Sequence, residues 1–181
     1  MGFWFIFFSM LLSFVFAVVL FYLSKYAAMR VDKVKLEKNL LNEFELNELF
    51  FKNLLRELEH LEYLSFRNIA NNSKPIGTPS LTNYRRFFVE LYFKKGYLFE
   101  KLTPVDINKI DRIMNVMNFE HQDFLNNEIW RWKNGSSNEG GDKRFREILE
   151  SEREMVSQFI KDIRGIREKI EKRKDLFQRF F

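Results

Sequence analysis

The sequence predicts an all-α protein, with one N-terminal transmembrane helix followed by a helical bundle that contains two long amphipathic helices. Three observations lead there. Gly2 to Leu23 form an unbroken apolar run. Two long stretches of the remainder set apolar residues at alternating steps of three and four, the spacing of one helical face. With 3 prolines and 7 glycines in 181 residues, the chain is too poor in turn formers for a many-stranded sheet.

Residues 1–24 read as the membrane anchor. Ser9 and Ser13 are the only polar side chains inside the run, and both are small enough to bond back to a helix backbone. At 1.5 Å per residue the stretch reaches about 30 Å, the hydrocarbon thickness of a bilayer. Phe3, Trp4, Leu11, Phe14, Val18 and Tyr22 are the candidate lipid-facing residues, with Trp4 near one end and Tyr22 and Tyr26 near the other, where interfacial aromatics collect. A cleaved signal peptide would need a basic leader and a small-x-small site, whereas this run starts at once and Lys25-Tyr26-Ala27 puts lysine where a small residue belongs. Past the run, Lys25, Arg30, Lys33, Lys35 and Lys38 face only Asp32 and Glu37, and no charged side chain precedes it. The positive-inside bias then puts the N-terminus outside and the rest on the cytoplasmic or matrix side of a bacterial or mitochondrial inner membrane.

Residues 25–67 predict a long juxtamembrane amphipathic helix. Leu40, Phe44, Phe51, Leu54, Leu58 and Leu61 form its apolar stripe, widened by Leu41, Phe50 and Leu55, and no glycine or proline interrupts it. Glu43, Glu45, Glu48, Glu57, Glu59 and Glu62 are expected on the solvated face. The segment 68–82 (NIANNSKPIGTPSLT) concentrates Asn, Ser, Gly and Pro and reads as a loop. A region of short helices, 83–134, follows. Asn83 to Lys95 should be helical, carrying Phe87, Phe88, Leu91 and Tyr92, and should stop with Gly96 at C′. Thr103-Pro104-Val105-Asp106 is a helix start, with Thr as N-cap, Pro in the first turn and Asp complementing the dipole. Ile107, Ile110, Met114 and Met117 are the stripe of that helix. After a break near Asn118 a further helix carries Phe124, Leu125, Ile129 and Trp132 as core candidates.

Residues 135–141 are expected to be a flexible connector and 142–181 the second long helix. Phe145, Leu149, Val156, Phe159, Ile163, Ile166 and Ile170 make a coiled-coil-type seam, interrupted at Glu152. A bundle contact with the 30–66 helix of the same chain is preferred to a homomeric coiled coil as its use. The end of this helix is basic: Lys172, Arg173, Lys174 and Arg179, with Phe180 and Phe181, form a candidate contact for anionic lipid or an acidic partner.

Chemistry is sparse. The absence of cysteine removes disulfides, thiolate nucleophiles and cysteine metal sites. Glu57 and His60 form one E-x-x-H pair, but a di-iron bundle needs a second pair, and His121 has Asn118 three residues before it. Arg56 and His60 lie too close for the arginine-histidine motif of HEPN-type helical ribonucleases. No phosphate loop or nucleophile elbow occurs, and no aromatic interleaving supports nucleic acid as a partner despite the net charge of +5. No catalytic residue, metal or cofactor is therefore expected. The expected role is a non-enzymatic single-pass anchor or scaffold subunit of a larger membrane complex, such as an accessory subunit of an energy-transducing complex, with lipid and other subunits or its own copies as partners. The alternative is a membrane-active effector of the toxin, holin-like or phage-defence kind that oligomerises in the bilayer.

Overall fold

A computed structural model describes residues 2–66, 81–134 and 139–178, and among them the protein is all-α. Its helices are α1 (Gly2–Phe66), α2 (Phe87–Lys94), α3 (Leu98–Lys101), α4 (Pro104–Val116), α5 (Phe119–Asn134) and α6 (Glu139–Gln178), with a 3₁₀ turn at Leu81–Asn83 before α2. The chain divides into two compact units, Met1–Asn39 and Leu40–Phe181, and the division falls inside α1.

Unit 1 is a single stretch of helix, and it contains a segment long and apolar enough to cross a membrane, with none of its most apolar window buried. Trp4, Leu11, Phe14 and Tyr22 are all exposed, and the Ser13 hydroxyl donates to the Ser9 carbonyl at 2.8 Å. That bond satisfies the hydroxyl within its own helix, which is what lets a serine sit in an apolar run.

Unit 2 has a core built on two antiparallel seams. On α1, Leu40, Phe44, Asn47, Phe51, Leu54, Leu58, Leu61 and Ser65 are buried at steps of four and three. On α6, Phe145, Leu149, Glu152, Val156, Phe159, Ile163, Ile166 and Ile170 follow the same rhythm. The Phe51 and Phe159 rings meet at 5.6 Å, while Glu62 pairs with Arg153 and Glu48 with Arg164, so rising numbers on α1 meet falling numbers on α6. Each seam carries polar residues inside it, Asn47 and Ser65 on α1 and Glu152 on α6.

Several local expectations move. Glu139, Gly140 and Gly141 belong to α6, so the connector expected at 135–141 ends sooner. Of the expected 68–82 loop, residues 68–80 lie outside the described residues, and Leu81 is buried with its N–H donating to Gln122 Oε1. Helix α2 begins at Phe87 rather than Asn83, because Asn47 of α1 holds the Arg85 backbone and the next residue, Arg86, takes a non-helical conformation at φ −135°. It buries Val89 and Tyr92, and Phe87 is exposed. In α4 the inner face is Asp106, Ile110, Ile113 and Met117, with Ile107 and Met114 half-buried. The rotation follows from Asp106, whose carboxylate closes a capping box with Thr103 and also accepts from Lys169 of α6. Phe124 of α5 stays outside, stacked on His121 with ring centroids 6.0 Å apart, and Leu125, Ile129 and Trp132 take the core positions. The break at Asn118 and the Thr103 cap are where the sequence puts them.

Candidate functional site

Helix α2 lacks a side-chain cap of its own, and α1 supplies one. Glu43, expected in solvent, is buried, and its two carboxylate oxygens accept the N–H groups of Phe88 at 2.8 Å and Val89 at 3.0 Å. An acid at this position satisfies two otherwise orphaned donors and complements the helix dipole. One turn further along α1, Asn47 Nδ2 donates to the Arg85 carbonyl at 2.6 Å, and the Arg85 N–H donates to Asn47 Oδ1 at 2.9 Å. Two α1 side chains thus fix where α2 starts. Burial, with the neighbouring Glu43, raises the pKa of the Tyr84 phenol well above its ordinary value.

Buried acids then tie α6 to the rest of unit 2. Glu48 accepts from Lys52 at 2.8 Å, Arg164 at 2.8 Å and Arg167 at 3.0 Å. Burial pushes its pKa up, but hydrogen bonds from Lys52 and Arg164 outweigh this and hold it below the ordinary value. Asp106 has the same balance, with burial opposed by Lys169 at 2.6 Å and by Thr103, and again the carboxyl is lowered. Asp162 accepts from Lys109 at 2.7 Å and raises the lysine pKa. His121 Nε2 lies 2.9 Å from Glu152 Oε2, which gives the polar interruption of the α6 seam a partner on α5. Trp132 Nε1 donates to Asp142 at 3.1 Å, and its ring stacks on Phe145 at 4.7 Å.

These polar contacts join helices, and each acid named here is met by a cation, a histidine, an indole N–H or a backbone donor. Among the described residues no group of three or more histidine and carboxylate side chains could hold a metal ion. Glu57 and His60 are both exposed on α1.

The sequence-derived surfaces separate clearly. The anchor residues Trp4, Leu11, Phe14, Val18 and Tyr22 lie on unit 1, where Phe3 is helical. Of the basic flank, Lys25, Arg30, Lys35 and Lys38 are exposed and Lys33 is half-buried. The seam Leu149, Val156, Phe159, Ile163, Ile166 and Ile170 is buried within unit 2. Lys172 is exposed, Arg173 and Lys174 lie in α6, and Arg179, Phe180 and Phe181 fall outside the described residues. Not anticipated is an aromatic knob where α2 turns into α3. Gly96 sits at φ 74°, Gly96 N–H donates to Phe93 O at 2.9 Å and Tyr97 N–H to Tyr92 O at 3.2 Å, the two bonds of a Schellman motif. The turn leaves Phe93 and Phe99 exposed with ring centroids 5.5 Å apart. Aromatic residues flanking Lys94-Lys95-Gly96 were the available signal.

Comparison of the chain with family models, curated proteins and solved structures finds no match. Among the described residues the class the structure defines is an all-α protein with one helix, near its N-terminus, long and apolar enough to cross a membrane.

Proposed function

We propose that the protein is a non-enzymatic single-pass membrane subunit that anchors and scaffolds a larger membrane complex. In this reading its N-terminus lies outside and unit 2 lies on the cytoplasmic or matrix side of a bacterial or mitochondrial inner membrane, which the positive-inside bias of the basic flank Lys25 to Lys38 supports. The observation that carries the reading is the contrast in exposure: the apolar window of unit 1 has no buried residue, while unit 2 covers its own seams with its own helices. An apolar surface of that extent has lipid as its natural solvent. The buried acids of unit 2 support a scaffold, because their contacts fix helix positions.

The test is purification of the full chain from its native membrane in mild detergent. Stoichiometric co-purifying subunits are the expected result, and a monomer without partners overturns the scaffold. Depolarisation when the chain is expressed alone would point instead to a membrane-active effector.

A further inference from the structure

We infer that the α2–α3 turn is a second membrane contact, docking on an anionic lipid surface through Phe93, Phe99, Lys94 and Lys95; this rests on reading unit 1 as a membrane span. The turn is rigidly built. Val89, Tyr92 and Leu98 bury the inner side of both helices, the Tyr92 and Tyr97 rings meet at 5.4 Å, and the Schellman bonds at Gly96 fix the angle between them. With the core contacts already made on that side, Phe93 at 49% and Phe99 at 60% exposure are surplus to the packing of unit 2. They stand together as one two-ring knob.

The charges beside the knob identify the surface that covers it. Lys94 and Lys95 are exposed and form no ion pair among the described residues, whereas nearby Arg86 is paired with Glu90 at 3.2 Å. Two rings with two unpaired ammonium groups at a turn tip match an interface in which apolar groups enter the acyl boundary while lysines meet lipid phosphates. A patch this small binds weakly in free solution. Tethering changes that, because a membrane-anchored chain meets the lipid surface at high effective concentration.

The chain contains no cysteine, so single-cysteine labelling is clean. The full chain carrying Phe99→Cys, labelled with an environment-sensitive fluorophore, is reconstituted into phosphatidylcholine vesicles with and without phosphatidylglycerol; Glu147→Cys on α6 is the control. Blue-shifted emission at position 99, quenched by spin-labelled lipid in the anionic vesicles and not at position 147, is expected. Adding Lys94→Gln and Lys95→Gln should lower the docked-to-undocked ratio roughly thirtyfold at unchanged helicity by circular dichroism. A water-like spectrum at position 99 in both vesicles overturns the proposal. So does a shift that follows protein density and ignores lipid charge, which would assign the knob to a second copy of the chain. Alkaline washing and flotation separate the two readings: retained protein with a wet probe sinks the docking alone, and protein lost from the vesicles sinks the span and the docking together.

Discussion

Residues 6–23 and 40–65 of α1 share one helical backbone and differ in how their apolar side chains are distributed around it. In the first stretch they point in every direction and stay exposed, whereas in the second most fall on one stripe that is buried, with Leu46, Leu49 and Tyr63 left outside it. Composition alone does not separate these fates, since both stretches are rich in Phe and Leu. Angular distribution does. A one-sided stripe can be covered by a neighbouring helix such as α6, while all-round apolarity needs a surrounding apolar solvent.

That contrast can be broken at either end. Phe51→Ala should cost about 3–5 kcal/mol of unit 2 stability, because Phe51 is fully buried against Phe159. Phe14→Ala in the anchor should leave the same denaturant midpoint, read by tryptophan fluorescence in detergent, unchanged. Val15→Arg should act on the other side of the comparison, lowering membrane retention after alkaline extraction by a penalty of about 3 kcal/mol while unit 2 unfolds as before. Within unit 2, Glu48→Gln should cost about 2 kcal/mol by removing the charge that Lys52, Arg164 and Arg167 surround. The Glu48 and Asp106 carboxyls are both held below their ordinary values, so their stabilisation is complete above about pH 5 and is lost as pH falls through the lowered values. Glu48→Gln should flatten that acid limb in a pH series of melting curves. Asn47→Ala should cost about 1–2 kcal/mol and speed hydrogen exchange at Phe88 and Val89, because the start of α2 loses a holder. Gly96→Ala should have the smallest effect, about 1 kcal/mol; the added methyl meets nothing within 4 Å, and only the positive φ opposes it.

The stripes were legible because the 3.6-residue period is written in apolar letters: Leu40 to Leu61 and Phe145 to Ile170 are buried as their spacing implies. The same reading failed at polar letters. Glu43 and Glu48 looked solvated because the groups that bury them are backbone donors and arginines 45 to 119 residues away, and the one local partner, Lys52 of Glu48, reads as an ordinary surface i,i+4 pair. In α2 the aromatic residues drew attention ahead of helical phase, and Val89, which was not singled out, is buried while Phe87 is exposed. The knob at Phe93 and Phe99 drew no sequence expectation, because two rings six residues apart are brought together only by the Gly96 turn. No candidate catalytic site was expected from the sequence, and the polar residues that matter most to the structure act as fasteners between helices.

The pairing of Glu48 with Arg164 and Arg167 has a consequence for biosynthesis. The two sides of that contact are 116 and 119 residues apart, so at roughly 5–20 residues per second the α1 seam waits many seconds for its cover after leaving the ribosome. Throughout that interval Leu40, Phe44 and Phe51 of the nascent chain lack the cover that α6 gives them in the folded protein. Early delivery to a membrane, or a chaperone that shields this stripe until α6 is made, would set the yield of folded protein more than the final stability does.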